Sequence, residues 1–519
     1  MAAKTPYYIT TAIAYANGAP HLGHAYEMIL TDVMARFQRA EGRDVMFLTG
    51  MDEHGQKVAK TAADKGLTAK AFCDDISALF LQLTKDLNIS QDDFIRTTEP
   101  RHHTSSQALW NKIVENGDIF LGEYAGWYST REEAFFAEKE LKIDAKTGEK
   151  KTPNDTEVEW MVEKSYFFKL SAYTERLLQY YEENPEFIQP ASRRNEIISF
   201  VKGGLEDLSI SRTSFDWGIP VPNDPDHVMY VWLDALTNYI TGVGYPDTSS
   251  AMYQKYWPAN VHVIGKDIIR FHCVFWPAFL MAADLPLPKQ IFAHGFINVD
   301  GQKMSKSLGN VVAPHDLITR YGVDQTRYIL MREVSHGEDG NFSHEQATNR
   351  LNADLANGLG NLAQRTLSMV VKNGEGKIVA RSLLTDADSE LLDAAYATLS
   401  AVREHAKSFR FNRAIEEIWK VVYKANAYID EQAPWTLKKT DLERMNVVLS
   451  VIAETLRVLG ILIRPLMPQS ADRLLDQLKV EEGARDFAYA TAEHALATDT
   501  LIDAPQGIFP RIEISEEAA

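Results

Sequence analysis

The sequence predicts an α/β unit built on a parallel sheet, followed by an all-α bundle. Three observations carry this. Strand-like and helix-like segments alternate from Tyr7 to about Asn116, the rhythm of βαβ units whose crossover helices cover both faces of a parallel sheet. The alternation resumes after an aromatic-rich interruption. Past about His336 no strand signal of any length remains, while apolar residues recur at helical spacing.

Taken in order, residues 7–14 are rich in β-branched and aromatic side chains and predict the first strand. Asn17-Gly18 supplies a turn. Pro20 is tolerated only at or before a helix's first turn, so a helix should begin near His21 and run to Ala40. Residues 44–49 predict the next strand, with helices following through Asn88. Between about Asp118 and Asp216 the rhythm changes to short aromatic strands and charged turns, which predicts an insertion in the sheet unit. Residues 229–233 and 261–264 are predicted as strands, then a helix over 268–281 capped by Asp267, then a strand over 290–293 and a glycine-bearing loop. Leu351, Leu355, Leu359 and Leu362 mark one helical face. Further periodic segments at 391–408, 412–429 and 445–463, joined by short polar connections, predict an antiparallel bundle.

At 519 residues and 45% hydrophobic, the chain can bury large cores and should hold about two to four domains. Cys73 and Cys273 cannot make a four-cysteine zinc site and hint at no disulfide framework, which suits a cytoplasmic protein. The longest uncharged apolar run, around 271–283, is too short to span a bilayer, so no membrane partner is expected. Residues 1–16 faintly resemble a secretion signal, but Thr10 and Thr11 interrupt the apolar part and cleavage would delete the first strand. The net charge of -18 opposes bulk attraction to nucleic acid, so such a partner would need local basic faces.

The chemistry concentrates in Ala19-Pro20-His21-Leu22-Gly23-His24-Ala25, where a strand gives way to a helix. The free N–H groups and positive dipole end of that helix favour an anion such as phosphate. His21 and His24 share one face of its first turn, where both imidazoles can donate to phosphate oxygens. Gly23 lies between them and leaves room for a flat base to approach the backbone. A metal reading of the histidine pair lacks a third ligand of matching spacing and the His-Glu-x-x-His pattern. Gly50-Met51-Asp52-Glu53-His54-Gly55 follows the second strand at its carboxyl end, where open α/β sheets hold ligands; Asp52 reads equally as a helix cap. Far downstream, Lys303-Met304-Ser305-Lys306-Ser307-Leu308-Gly309 offers two lysines three apart as a cationic clamp for phosphate.

The two motifs together resemble the class I aminoacyl-tRNA synthetases, and among them the methionyl-tRNA synthetase family. The resemblance runs from Thr10 to Phe509-Pro510-Arg511-Ile512-Glu513 and includes Tyr15-Ala16-Asn17-Gly18, Tyr230-Val231-Trp232-Leu233-Asp234-Ala235, Gly265-Lys266-Asp267-Ile268 with Phe271-His272, and Asp430-Glu431-Gln432-Ala433-Pro434-Trp435. Those blocks in that order separate it from the cysteinyl, leucyl, isoleucyl and valyl relatives.

The resemblance implies a Rossmann-like catalytic domain (1–117 and 217–350, the latter with the stem-contact region and the lysine loop), a connective insertion (118–216) and a helical anticodon-binding domain (351–519). It implies activation of L-methionine by ATP with Mg2+, and transfer to the 3′-terminal adenosine of initiator and elongator tRNA(Met). His21, His24, Lys303 and Lys306 would act on the phosphates. Gly23, Gly265, Asp267, His294 and Gly295 would complete the ATP site. Asp52 would pair with the α-amino group, while Ile13, Tyr15, Trp232, Ala235, Tyr239, Ile268 and His272 would enclose the thioether. Ala14 and Leu236 stand where some members have proline. Asn361, Arg365 and Trp435 would meet the anticodon, with Arg403, Lys407, Arg410 and Arg413 as a local positive face. Some members carry cysteine pairs in the insertion, whereas this chain reads Tyr128-Ser129-Thr130-Arg131-Glu132-Glu133-Ala134-Phe135 there. A knuckle without structural zinc is therefore expected, held by packing of Trp127, Tyr128, Phe135, Phe136, Trp160 and Tyr166. A monomer is expected, since some members dimerise through a further carboxyl-terminal module. Rival readings fare worse: a small-molecule nucleotidylyltransferase would not need the bundle, a non-enzymic tRNA-binding relative could lose His21, His24 or Lys306, and a dinucleotide oxidoreductase would carry Gly-x-Gly-x-x-Gly after the first strand.

Overall fold

The computed structural model describes residues 4–513 apart from residues 133, 145–146 and 305–309. Its main sheet has seven strands: β1 (Pro6–Thr11), β2 (Ala14–Tyr15), β3 (Asp44–Asp52), β4 (Asp93–Arg96), β5 (Ile188–Gln189), β6 (Val261–Gly265) and β7 (Ile291–His294). The order is β5-β7-β6-β1-β3-β2, with β4 also on β3, and every pairing is parallel. β1, β3 and β6 are almost continuously buried because helices cover both faces. The expected first strand breaks at Ala12-Ile13. There Ala12 N–H reaches back to Val263 O at 3.0 Å, on the β6 side, while Ala14 and Tyr15 pair with Met51 and Asp52 on the β3 side. That divergence opens a crevice at the carboxyl ends of the strands, the place where such sheets hold ligands.

Helix α1 (Leu22–Ala40) leaves this crevice, and α2 (Pro100–Glu115) and α3 (Val231–Thr241) pack against each other nearby. The strand expected over 229–233 is a correction: the strand is Asp224–Met229, and the chain turns at Tyr230 into α3. α3 is buried around nearly its whole circumference, so its apolar run had no polar face to reveal a helical period. Asp267 does not cap a helix either. It lies inside a 3-10 turn, Lys266–Ile268, which leads to a π-helical turn, Phe271–Phe275, and only then to a short α-helix, Trp276–Ala282.

Within 118–216, the strands Ile119–Ser129 and Glu159–Phe168 form a long antiparallel pair, yet the same interval also supplies β5 to the main sheet. After His336 one short strand does occur: Gly340–Phe342 pairs with Ile297–Val299. Three residues are too few to show alternation.

The helical part comprises α4 (Val323–Glu333), a π-helical stretch Asn352–Gly360, α5 (Asn361–Asn373), α6 (Asp386–Ala406), α7 (Phe411–Gln432), α8 (Leu442–Ile463) and α9 (Pro468–Gln477). α8 is long and apolar enough to cross a membrane by length and composition, but 94% of its apolar window is buried in the protein, where α5, α6, α7 and α9 surround it. It is apolar all round because it is the bundle's centre. A buried guanidinium ties the bundle to α1. Arg327 on α4 is fully buried and donates to Asp32 Oδ2 on α1 at 2.6 Å, to Leu87 O at 3.2 Å, and to Pro465 O and Leu466 O, between α8 and α9, at 3.1 and 2.8 Å.

Candidate active site

A cavity of about 990 Å³ occupies the crevice. Ile13, Tyr15, His21, Gly23, His24, Asp52, Trp232, Ala235, Tyr239, Gly265, Asp267, Ile268, His272, His294, Gly295 and Lys303 all line it. Lys306 lies outside the described residues.

The histidine pair is organised by the start of α1. His21 is its N-cap, accepting Gly23 N–H on Nδ1 at 3.1 Å, and His24 Nδ1 accepts His21 N–H at 3.2 Å. This is a capping box built from two imidazoles in place of the usual hydroxyl and carboxylate. Because both Nδ1 atoms accept backbone N–H groups, each ring in its neutral form carries its proton on Nε2, as a donor. Burial, reinforced by His21, lowers His24 to a pKa of about 3, so it works as a neutral donor. The rings stack with centroids 3.8 Å apart, and Phe80 meets His24 edge-on at 4.9 Å. Gly23 has a local reason beyond space for a base: a Cβ there would stand 3.0 Å from His21 Cε1 and press on the capping ring.

At the opposite wall His272 Nδ1 donates to Ile268 O at 3.0 Å, so Nε2 accepts from Tyr239 Oη at 2.6 Å. Burial brings His272 down to a pKa of about 4 and keeps it neutral, the Ile268 carbonyl opposing the shift. Trp232 stacks on Phe271 at 3.7 Å and meets His272 edge-on at 6.2 Å. The result is an aromatic wall whose polar atoms satisfy one another, apt for a flexible, polarizable, uncharged side chain. Asp52, at the end of β3 and in register with Tyr15, supplies the carboxylate at its edge. Asp267 folds back over Gly265, where a Cβ would sit 2.6 Å from its Oδ1.

Sequence reasoning missed several lining residues. Glu27 follows His24 by three positions on α1 and could have been read from that spacing. Its Oε2 lies 2.9 Å from His294 Nε2, while His294 Nδ1 donates to Gly295 O at 2.8 Å. Burial raises Glu27 despite His294; burial alone would depress His294, but Glu27 outweighs it and raises His294 too. The pair therefore holds one proton between Nε2 and Oε2. Asn238 reaches the cavity from α3, three residues past Ala235, while Arg131, Glu132, Asn154, Arg193 and Glu196 reach it from distant segments that no local pattern connects.

The insertion departs from the expected aromatic packing. Trp127 and Trp160 do meet edge-on at 5.3 Å, but Trp160 is exposed, and Tyr166 packs away from the knuckle on buried Trp110 and His227. Polar groups hold the knuckle: Glu132 accepts from Thr152, from Thr156 at 2.6 Å and from Asn154 at 2.8 Å, and Ser129 bonds Thr156 at 2.8 Å. Phe135's side chain lies outside what the structure describes.

On the bundle, Arg365 stands 5.1 Å over the ring of Trp435 and pairs with Asp430 at 2.9 Å, while Asn361 is exposed one turn earlier on α5. Trp435 is 39% exposed, unlike a core tryptophan. The expected positive face is largely neutralised: Arg403 grips Glu41 through two bonds of 2.7 and 2.9 Å, Lys407 pairs with Glu404 and Arg413 with Glu416.

Residues 7–367 match the family model described as tRNA synthetases class I (M), and residues 379–519 match the anticodon binding domain of methionyl tRNA ligase. The chain is 56% identical over 514 residues to the methionine–tRNA ligase of Brucella suis biovar 1, covering 99% of each chain. It is 55% identical to that of Rhizobium meliloti, covering 98% of each. A solved structure, the Mycobacterium tuberculosis methionyl-tRNA synthetase in complex with methionyl-adenylate, superposes with a TM-score of 0.95 at 52% identity, covering 98% of this chain and 100% of that one.

Proposed function

The chain belongs to the methionyl-tRNA synthetase family of class I synthetases, and on that premise we propose how its residues divide the work. The reaction is methionine–tRNA ligation. Methionine's carboxylate attacks the α-phosphorus of ATP, pyrophosphate leaves, and a ribose hydroxyl of the tRNA's terminal adenosine then takes the methionyl group from the adenylate, releasing AMP.

The observation that carries our assignment is the convergence of two imidazole Nε2 edges, a carboxylate and an aromatic wall on one cavity. His21 and His24 donate to phosphate oxygens as charge grows there, with no protein nucleophile needed. Lys303, at the cavity edge, and Lys306 attract the pyrophosphate side. Gly265 and Asp267 take the ribose and the His294-Gly295 segment the adenine. Asp52 attracts the α-ammonium, and Ile13, Tyr15, Trp232, Ala235, Tyr239, Ile268 and His272 enclose the thioether. Among the described residues no group of three potential ligands forms a metal cage. Magnesium bound to the ATP phosphates would supply charge neutralisation. Asn361, Arg365 and Trp435 read the anticodon, Trp435 by stacking an unpaired base. The buried thiols of Cys73 and Cys273 are in keeping with a cytoplasmic location.

The test joins both halves of the molecule. ATP–pyrophosphate exchange should respond to methionine among the amino acids. Trp435→Ala should keep that exchange within about 2-fold yet lose about 10- to 100-fold in tRNA charging, a stacked base being worth ~1–3 kcal/mol. Normal charging by the variant would remove Trp435 from the anticodon site. We also propose that the knuckle carries no zinc, since its position is held by the Glu132 cluster. Elemental analysis of the purified protein should find no stoichiometric zinc; one zinc per chain would overturn this.

A further inference from the structure

We propose that Asp234, with His54, is a positioning device that sets the distance between the carboxylate and the aromatic wall of the methionine pocket. Asp234 lies on α3 between Trp232 and Ala235, yet its side chain points away from the cavity and is fully buried. Its Oδ2 accepts from His54 Nδ1 at 2.6 Å and its Oδ1 from His102 Nε2 on α2 at 2.7 Å. His102 is further held by Ser106 and Thr241, each at 3.2 Å, and His54 meets Trp217 and His103 edge-on, both at 5.5 Å.

His54 is two residues past Asp52, and the residue between them is anchored as well. Glu53 accepts from Arg96 at 2.7 Å and from Ser77 and Thr98; its N–H reaches Thr97 Oγ1 at 2.9 Å and its carbonyl takes Trp217 Nε1–H at 2.6 Å. Two neighbours of Asp52 are thus pinned to different elements, Glu53 to β4 and His54 to α3, so the backbone carrying the Asp52 carboxylate has little freedom. The His54–Asp234 bond is the direct side-chain link from that backbone to the helix bearing Trp232 and Ala235.

The chemistry of the link argues for position over stability. Burial works against the Asp234 carboxylate, but His54 and His102 outweigh it and hold it ionised. A buried carboxylate hydrogen-bonded to two rings is a poor way to stabilise a fold, since apolar residues of like volume do as well or better. What it offers is one allowed geometry, because any slip of α3 against β3 strands a charge in the interior. A slip of about 1 Å in such an arrangement is enough to misplace a substrate's ammonium and side chain relative to each other.

This inference rests on the methionine pocket proposed above, so the experiment separates the two. Methionine and ATP KM values are measured by pyrophosphate exchange for Asp52→Asn, Trp232→Ala, Asp234→Ala, Asp234→Asn, His54→Gln and the His54→Gln/Asp234→Ala pair. Asp234→Ala should raise the methionine KM about 10- to 100-fold, with the ATP KM within about 3-fold. Asp234→Asn, which still spans both rings, should recover part of the loss. The double variant should lose no more than the worse single one. Should Asp234→Ala fail to fold, His54→Gln carries the test alone, with the same selective rise in methionine KM. A purely structural role would lower the thermal midpoint and the active fraction while leaving both KM values in place, and that result would overturn the proposal. If Asp52→Asn and Trp232→Ala leave the methionine KM unchanged, it is the pocket reading that fails.

Discussion

Replacing His24 by alanine is expected to slow methionyl-adenylate formation about 10²- to 10³-fold, the usual loss when one preorganised donor to a developing oxyanion is removed. Methionine KM should change little, because the role proposed for the ring is to meet phosphate and not the amino acid. The same residue also caps α1, and losing that half of the box should cost about 1 kcal/mol of stability. The two effects separate in His24→Glu. Glutamate is the ordinary partner at this helix position and keeps the cap, so the thermal midpoint should return towards that of the parent. Yet it sets an acceptor and a negative charge where Nε2–H donated, so adenylation should fall below even the alanine variant. Single-turnover quench measurements on both variants decide: if His24→Glu were faster than His24→Ala, the ring would matter only as a cap. With a pKa of about 3, His24 stays neutral across the working range, so the pH profile of adenylation should show no ionisation from it near neutrality.

What the sequence made legible follows from the range of the interactions involved. The start of α1 was readable because Asn17-Gly18, Pro20 and the apolar spacing after it are local signals, and the helix begins at Leu22 with His21 as its cap. The long helices of the bundle were readable for the same reason, to within a few residues at most ends. α3 was misread because a run such as Met-Tyr-Val-Trp-Leu satisfies a buried strand and a buried helix equally. The tautomers of His21 and His24 were not accessible, since they depend on which ring nitrogen a backbone N–H meets. Nor was the fate of the basic residues of α6 and α7, which depended on acids elsewhere: Arg403 was expected to face nucleic acid and instead grips Glu41, just past the end of α1. Family motifs brought the cavity residues together across the chain, but they were silent about the buried link between bundle and α1, because nothing in the residues around Arg327 announces its partners.

That link carries the largest expected effect on stability. Arg327 satisfies four acceptors from three parts of the chain, and Asp32, its only charged one, sits on the helix that begins with the histidine pair. Burial opposes the Asp32 carboxylate, but Arg327 first and Arg36 second outweigh it and keep it ionised. Arg327→Met roughly preserves volume yet orphans three carbonyls and half of the Asp32 pairing, and breaking a buried pair from one side costs about 3–5 kcal/mol. Arg36→Met removes the other partner of the same carboxylate, 2.7 Å away but at the solvent edge, and should cost about 1 kcal/mol or less. Denaturant midpoints of the two variants therefore form an internal control. If they shift equally, Arg327 is one more salt bridge. If Arg327→Met shifts far more, the bundle and α1 share a buried anchor, because one guanidinium bonds Pro465, Leu466 and Asp32 at once. The same variant should then lose more in tRNA charging than in pyrophosphate exchange, since charging alone needs bundle and crevice held in one fixed relation.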